Sequence, residues 1–113
     1  MDRLELYRDL IQRVLSEFAD WANGSSNQDS EMICLFDEKR DHYLVLRVRW
    51  GEYRCMQGAQ IFVRIRNGKI WIEEDWTEDG IVTDLLKAGI SKEEIVLGFQ
   101  PPEMRELTEF SVA

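Results

Sequence analysis

The sequence predicts a single α+β domain: an N-terminal amphipathic helix on an antiparallel meander of about four strands, then a second helix, a short helical turn and an irregular or strand-like C-terminus. Three observations predict it. The apolar period is near 3.6 over residues 2–22, changes to 2 between Glu31 and Trp76, and gives way after Thr77 to short segments punctuated by Gly, Ser and Pro. A chain of 113 residues has the length for one core and not two, so residues 1–113 are read as one domain. The proportions, 44% hydrophobic and 32% charged, are those of a globular protein rather than a disordered or fibrous one.

The first element rests on Leu4, Tyr7, Leu10, Ile11, Val14, Leu15, Phe18 and Ala22, which recur at helical spacing and form one apolar face. Arg3, Glu5, Arg8, Asp9, Arg13 and Glu17 lie on the other. Asp2 with Glu5 three residues later reads as an N-terminal cap, and Gly24 within "NGSSNQDS" (23–30) stops the helix and opens a flexible connection. Such a helix covers one face of a sheet; binding a partner is its alternative use.

Four runs then alternate with period 2: "MICLF" (32–36), "HYLVLRVRW" (42–50), "YRCMQGAQIFVRIR" (53–66) and "KIWIEEDW" (69–76), separated by "DEKRD", "GE" and "NG". Asn67-Gly68 is the strongest local signal, because a type I′ turn needs positive φ at both central positions. It predicts a register: Arg66 opposite Lys69, Ile65 opposite Ile70, Arg64 opposite Trp71, Val63 opposite Ile72 and Phe62 opposite Glu73. Ile65, Ile70, Val63 and Ile72 then share the core face, with Arg64, Trp71, Phe62 and Glu73 on the other. Gly58, inside the longest run, predicts a bulge or bend.

Beyond Trp76, Thr77 is placed as an N-cap with Glu78 and Asp79 in the first turn of the next helix. Ile81, Val82, Leu85 and Leu86 form its apolar face, and Gly89 its C-cap. "SKEE" (91–94) is a capping box opening one more helical turn. Pro101-Pro102 is expected to forbid regular structure, and "LTEFSVA" offers a last strand.

Charge divides unevenly. Residues 1–72 hold 11 acids and 11 Lys or Arg; residues 73–113 hold 11 acids and only 3 (Lys87, Lys92, Arg105), so the net −8 belongs to the C-terminal part. That surface repels phosphate and suits a basic protein. No apolar run approaches the roughly 18 residues of a membrane span, and the charged start "MDRLELYRDL" does not resemble a secretory signal, so a soluble cytoplasmic protein with no membrane association is expected. Cys34 and Cys55, with no CxxC and one histidine in the chain, read as two free thiols on strands rather than zinc ligands.

Chemistry has three candidate seats. "EEDWTEDG" sets Glu73, Glu74, Asp75, Glu78 and Asp79 in seven positions. A two-metal nuclease needs carboxylates converging on ions about 4 Å apart, whereas strand alternation sends Glu73 and Asp75 to one side and Glu74 to the other. A solvated strand end and helix cap explains these acids; a nuclease using Glu73, Asp75 and Glu78 is the enzymatic alternative. His42 has no second histidine, neither cysteine sits in a nucleophile motif, and no phosphate-binding glycine motif occurs. No catalytic residue, metal site or cofactor is therefore assigned. The third seat is arginine with aromatics: Arg47 and Arg49 on one run, Arg64 and Arg66 on another, all expected on the sheet face opposite the core beside Phe62 and Trp71. That set serves nucleic-acid binding, a protein interface including a homodimer, or a solvated face with Arg64 stacked on Trp71. With Glu73, Asp75 and Trp76 it forms the candidate partner interface.

"MDRLELYRDLIQRVLSEFA", "DHYLVLRVRW", "NGKIWIEEDWTEDGIVTDLLKAGISKEEIVLGF" and "TEFSVA", in that order, resemble the fdxN element excision controlling factor family, the XisI proteins. The likeness runs nearly the full length and is most specific from Gly68 to Phe99. It departs from the family at Arg49, at Gln100-Pro101 and at the ending Glu109–Ala113. The resemblance implies a controlling factor for programmed DNA excision, a process carried out by a separate site-specific recombinase. It also implies an endonuclease-like XisH partner, with contact to DNA expected only through that partner, and it transfers no catalytic residues. Neutralisation of that partner, as an antitoxin would do, is the alternative it leaves open.

Overall fold

The computed structural model describes residues 2–24 and 30–113. Helix α1 (Arg3–Asn23) is followed by strands β1 (Ser30–Asp37), β2 (His42–Trp50), β3 (Cys55–Arg66) and β4 (Lys69–Asp75). Helix α2 (Val82–Lys87), a 3₁₀ turn (Lys92–Glu94), strand β5 (Ile95–Leu97) and the one-turn helix α3 (Pro102–Arg105) complete it. The five strands lie in chain order in one open sheet. β1 to β4 form the expected antiparallel meander, and β5 adds to β4 in parallel, pairing Ile70 with Ile95 and Ile72 with Leu97. The sheet is therefore mixed and has one strand more than expected. Three residues are too few to show alternation, and a parallel neighbour requires the crossover that α2 supplies.

Asp2 caps α1, its carboxylate accepting from the Glu5 amide at 2.9 Å. The apolar face buries Tyr7, Leu10, Ile11, Val14, Leu15 and Ala19 against Tyr43 and Val45 of β2, Ile61 and Val63 of β3, and Ile70 and Ile72 of β4. Each fully buried Ile, Leu or Val contributes about 1.5–3 kcal/mol, so this helix–sheet contact is the main stabilising layer. α2 adds Leu85 to the same side. The flexible connection expected at 23–30 falls largely on residues 25–29, outside the described residues.

Polar ties fix the helix on the sheet. Arg8 donates to both oxygens of Asp41 at 2.8 and 3.2 Å, and the Tyr43 hydroxyl donates to Asp41 at 2.9 Å. The Arg8 guanidinium, first, and the Tyr43 hydroxyl hold the Asp41 carboxyl below its ordinary range; burial, then the Asp41 carboxylate, pushes the Tyr43 phenol up. At the same end of the strands, toward the β5 edge, the Glu94 carboxylate accepts from the Tyr7 hydroxyl at 2.8 Å and the Ser91 amide at 2.8 Å, and pairs with Arg3. The second of these bonds belongs to the capping box expected from "SKEE".

The Asn67-Gly68 turn has φ of 53° and 75°, the positive pair that type I′ requires. The predicted register holds from Arg66–Lys69 to Val63–Ile72, then shifts: Glu73 is an extra residue in β4, so Phe62 faces Glu74. A second shift sits in β3 at Gln60, two residues from Gly58, which pairs regularly with Arg47. Thr77 is not the N-cap of α2. The Asp75 carboxylate accepts from the Thr77 and Ile81 amides (3.0 and 2.7 Å), and Gly80 at φ 78° interrupts any helix through this loop. α2 begins at Val82, and Glu78 and Asp79 stand exposed in the loop. Its C-cap is Ala88, followed by Gly89 at φ 105°. Pro101-Pro102 starts a helix rather than forbidding one, since Pro102 occupies the first helical position, where its missing N–H costs nothing. Of the last strand, a single bridge between Ser111 and Val96 forms.

Candidate partner interface

The arginines divide between two faces. β2 buries Tyr43 and Val45 against α1, so alternation places Arg47 and Arg49 on the helix side of the sheet, beyond the part that α1 covers. Arg64 and Arg66 alternate with buried Ile61 and Val63 and project from the opposite face. One shared arginine face was expected. The run "HYLVLRVRW" is apolar at both phases up to Leu46, so its alternation does not reveal which phase is buried.

The opposite face is closed around Trp71 by the chain itself. Trp71 is only 6% exposed, lies between the guanidinium groups of Arg66 (4.9 Å to the ring centroid) and Arg105 (5.3 Å), and donates its indole N–H to the Arg66 carbonyl at 3.1 Å. Arg64, which the solvated-face reading stacks on Trp71, instead lies 6.0 Å from the centre of the Phe62 ring and donates to Glu73 at 2.5 Å. Glu73 in turn packs on Gly98, where any β-carbon would collide with its carboxylate. Arg105 completes the arrangement through the carbonyls of Gln100 and Gly98 at 3.0 and 3.3 Å. Phe62, Arg64, Arg66, Trp71 and Glu73 are thus brought together, with Arg105 of α3 on Trp71 and the turn after β5 on Glu73.

Arg47, Arg49 and Trp76 meet elsewhere, in an open cleft of about 450 Å³ whose remaining wall is β3 from Met56 to Gln60. β3 is longer than β4. Its partner ends at Asp75, opposite Ile61, so Cys55–Ala59 pair with β2 on one side and, among the described residues, with no strand on the other. Trp76 marks the end of β4: its amide donates to the Gln60 carbonyl at 2.9 Å, and its ring stands 72% exposed. Trp50 and Tyr53, at the tip of the β2–β3 hairpin, are 66% and 92% exposed. The Arg47 Nε is buried without a hydrogen-bond partner, and among the described residues no carboxylate pairs with Arg47 or Arg49. Met56, Gln57, Gly58, Ala59 and Gln60 are absent from the interface expected on sequence. The available signal was length, because a 14-residue run against an 8-residue run across a two-residue turn must leave an overhang.

The acidic stretch does not converge. Glu73 is held by Arg64, Asp75 points to the helix side and caps the loop before α2, and Glu78 is exposed. Among the described residues no group of three or more His, Cys, Asp or Glu is placed to hold a metal ion. Cys34 and Cys55 are free thiols; burial, then the nearby Asp20, pushes the Cys34 thiol up. Among the described residues no helix is long and apolar enough to cross a membrane.

Comparison with known proteins agrees with this arrangement. The XisI protein family matches residues 1–112. The crystal structure of the fdxN element excision controlling factor XisI from Anabaena variabilis ATCC 29413 superposes with a TM-score of 0.86 at 41% identity, covering 99% of this chain and 100% of that one. An XisI-like protein from the same organism gives a TM-score of 0.86 at 32% identity, covering 97% and 99%. No curated protein matches. The stretch that most resembles the family, from "GKIWI" to "EEIVLGF", forms the parallel pair β4–β5 together with the Glu73–Gly98 contact. The chain belongs to the XisI family.

Proposed function

We propose that this protein is a non-enzymatic controlling factor for the excision of a DNA element and acts by binding an XisH-type protein. Family membership supplies the setting. The observation that carries the mode of action is the cleft at the end of the β2–β3 hairpin, where exposed Trp76 and unpaired Arg47 and Arg49 flank an unpaired strand edge. Arginine and tryptophan are the residue types enriched at the energetic centres of protein interfaces. The remainder of the arginine set is bound up in the chain's own Trp71 cluster, and the carboxylates of residues 73–79 cap, pair or face solvent without converging. Co-expression with the XisH-type reading frame next to this gene, followed by affinity purification, tests the proposal. A complex stable at micromolar concentration is expected, and its absence would end this reading.

A further inference from the structure

Resting on that reading, we infer that the partner contributes an extended, carboxylate-bearing segment that adds as a strand to the open edge of β3 at Cys55–Ala59 and places an acid on Arg47 and Arg49. Backbone geometry supports the edge from both ends. The Gly51 amide donates to the Arg54 carbonyl at 2.8 Å, and alternation from that pair makes Met56 and Gly58 bond to β2 and turns the backbone groups of Cys55, Gln57 and Ala59 outward. From the other end, the Ile65 amide donates to the Asp41 carbonyl at 3.1 Å, and the extra residue at Gln60 carries the same phase past the end of β4. Three successive outward positions with no neighbouring strand can accept an added strand, whose backbone bonds supply affinity while alternate side chains supply choice.

The side chains of that added strand fall by turns on the two faces of the sheet, and those on the helix side meet Arg47, Arg49 and Met56. A β-carbon at Gly58 would have nothing within 4 Å, so this side offers room beside the guanidinium groups. The Arg47 Nε is already desolvated and lacks an acceptor, a cost that a carboxylate removes. Discrete carboxylates fit better than a nucleic-acid backbone. Two guanidinium groups on a chain of net charge −8 make too few phosphate contacts to overcome the repulsion from the rest of the surface.

The test uses the full-length chain and the co-expressed XisH-type protein. Gln57→Pro removes a backbone donor that faces only the open edge, and Arg47→Glu with Arg49→Glu reverses the charge in the cleft. With melting temperatures unchanged, each variant is expected to weaken the complex by about tenfold or more, a loss typical of one charge-assisted or several backbone hydrogen bonds. If the unaltered pair associates and both variants bind equally well, this inference fails while the proposed function stands. If the unaltered pair does not associate, both fail. Light scattering and titration with labelled single-stranded DNA close the other routes. A dimer of this chain that Gln57→Pro dissociates would assign the edge to a second copy, and salt-sensitive DNA binding lost in the arginine variant would assign the cleft to nucleic acid; either overturns the inference.

Discussion

The carboxylate of Glu73 occupies the space that a side chain at position 98 would need, so β4 and the turn after β5 are locked by one acid lying on one glycine. The lock is held in place because Arg64 donates to the same carboxylate at 2.5 Å while its own Nε is buried without a partner. Gly98→Ala must therefore swing Glu73 away from Arg64 and also crowd the Ile72 carbonyl, 3.1 Å from the new β-carbon. A destabilisation of about 1–3 kcal/mol is expected from urea unfolding. In a Glu73→Ala background the same change should cost clearly less. Equal costs in the two backgrounds would show that the residues are not coupled.

Stability should fall at both extremes of pH through one cluster. Arg8 and Tyr43 depress the Asp41 carboxyl, so the stability it contributes is present above the unfolded value of about 3.9 and is lost as pH falls through the lower folded value. The Tyr43 phenol is raised, so its contribution is present below about 10 and is lost as pH rises through the higher folded value. Asp41→Asn retains a residue type that tolerates φ 57° but gives up the ion pair. It should lower stability at neutral pH by about 1–2 kcal/mol and flatten the acid limb of a stability profile measured by denaturant titration. An unchanged acid limb would exclude Asp41 as its source.

Glu94 ties the first helix to the start of β5. Its carboxylate accepts from Tyr7 and from the Ser91 amide and pairs with Arg3, so Glu94→Ala leaves a completely buried tyrosine hydroxyl without that acceptor. The expected cost is about 1.5–3 kcal/mol, against about 1 kcal/mol for Tyr7→Phe, which removes the hydroxyl's bond to Glu94 and the one it accepts from the Arg3 Nε at 3.0 Å but leaves the charged groups paired. Thermal melts of the two variants would rank them, and a larger loss for Tyr7→Phe would contradict this assignment.

The two thiols should differ in reactivity. Burial pushes Cys34 up, and its sulfur sits 3.8 Å from the Leu15 carbonyl under α1, whereas Cys55 opens β3 at the unpaired edge. Alkylation at mildly alkaline pH followed by peptide mass spectrometry should modify Cys55 first, by about tenfold or more in rate. Equal rates would mean that α1 does not shield Cys34.

What could be read from the sequence depended on how much each segment's pattern excluded. Asn67-Gly68 excludes all but one turn geometry, so the pairing of β3 with β4 was predictable to the residue as far as Ile72. Glu73 broke it, because a bulge leaves no trace in hydropathy. "IVL" is too short to distinguish a strand from the end of a helical turn, which hid β5. Thr77 looks like a helix cap and instead serves an Asp75-centred loop, since the deciding residue is Gly80 with its positive φ. In the candidate interface the residue types were legible but their grouping was not. The alternation of β2 points Arg47 and Arg49 to the wrong face because β2 is apolar on both sides, and the open edge of β3 depends on where β4 ends.

Amide hydrogen exchange of Gln57 and Ala59, measured with and without the XisH-type protein, tests the central claim most directly. The account predicts rapid exchange at both amides in the free protein and strong protection of both in the complex, because an added strand would bond to them. Protection confined to other surfaces, such as the shallow apolar depression at Leu35, Leu44 and Phe62, with Gln57 and Ala59 unchanged on binding, would contradict it.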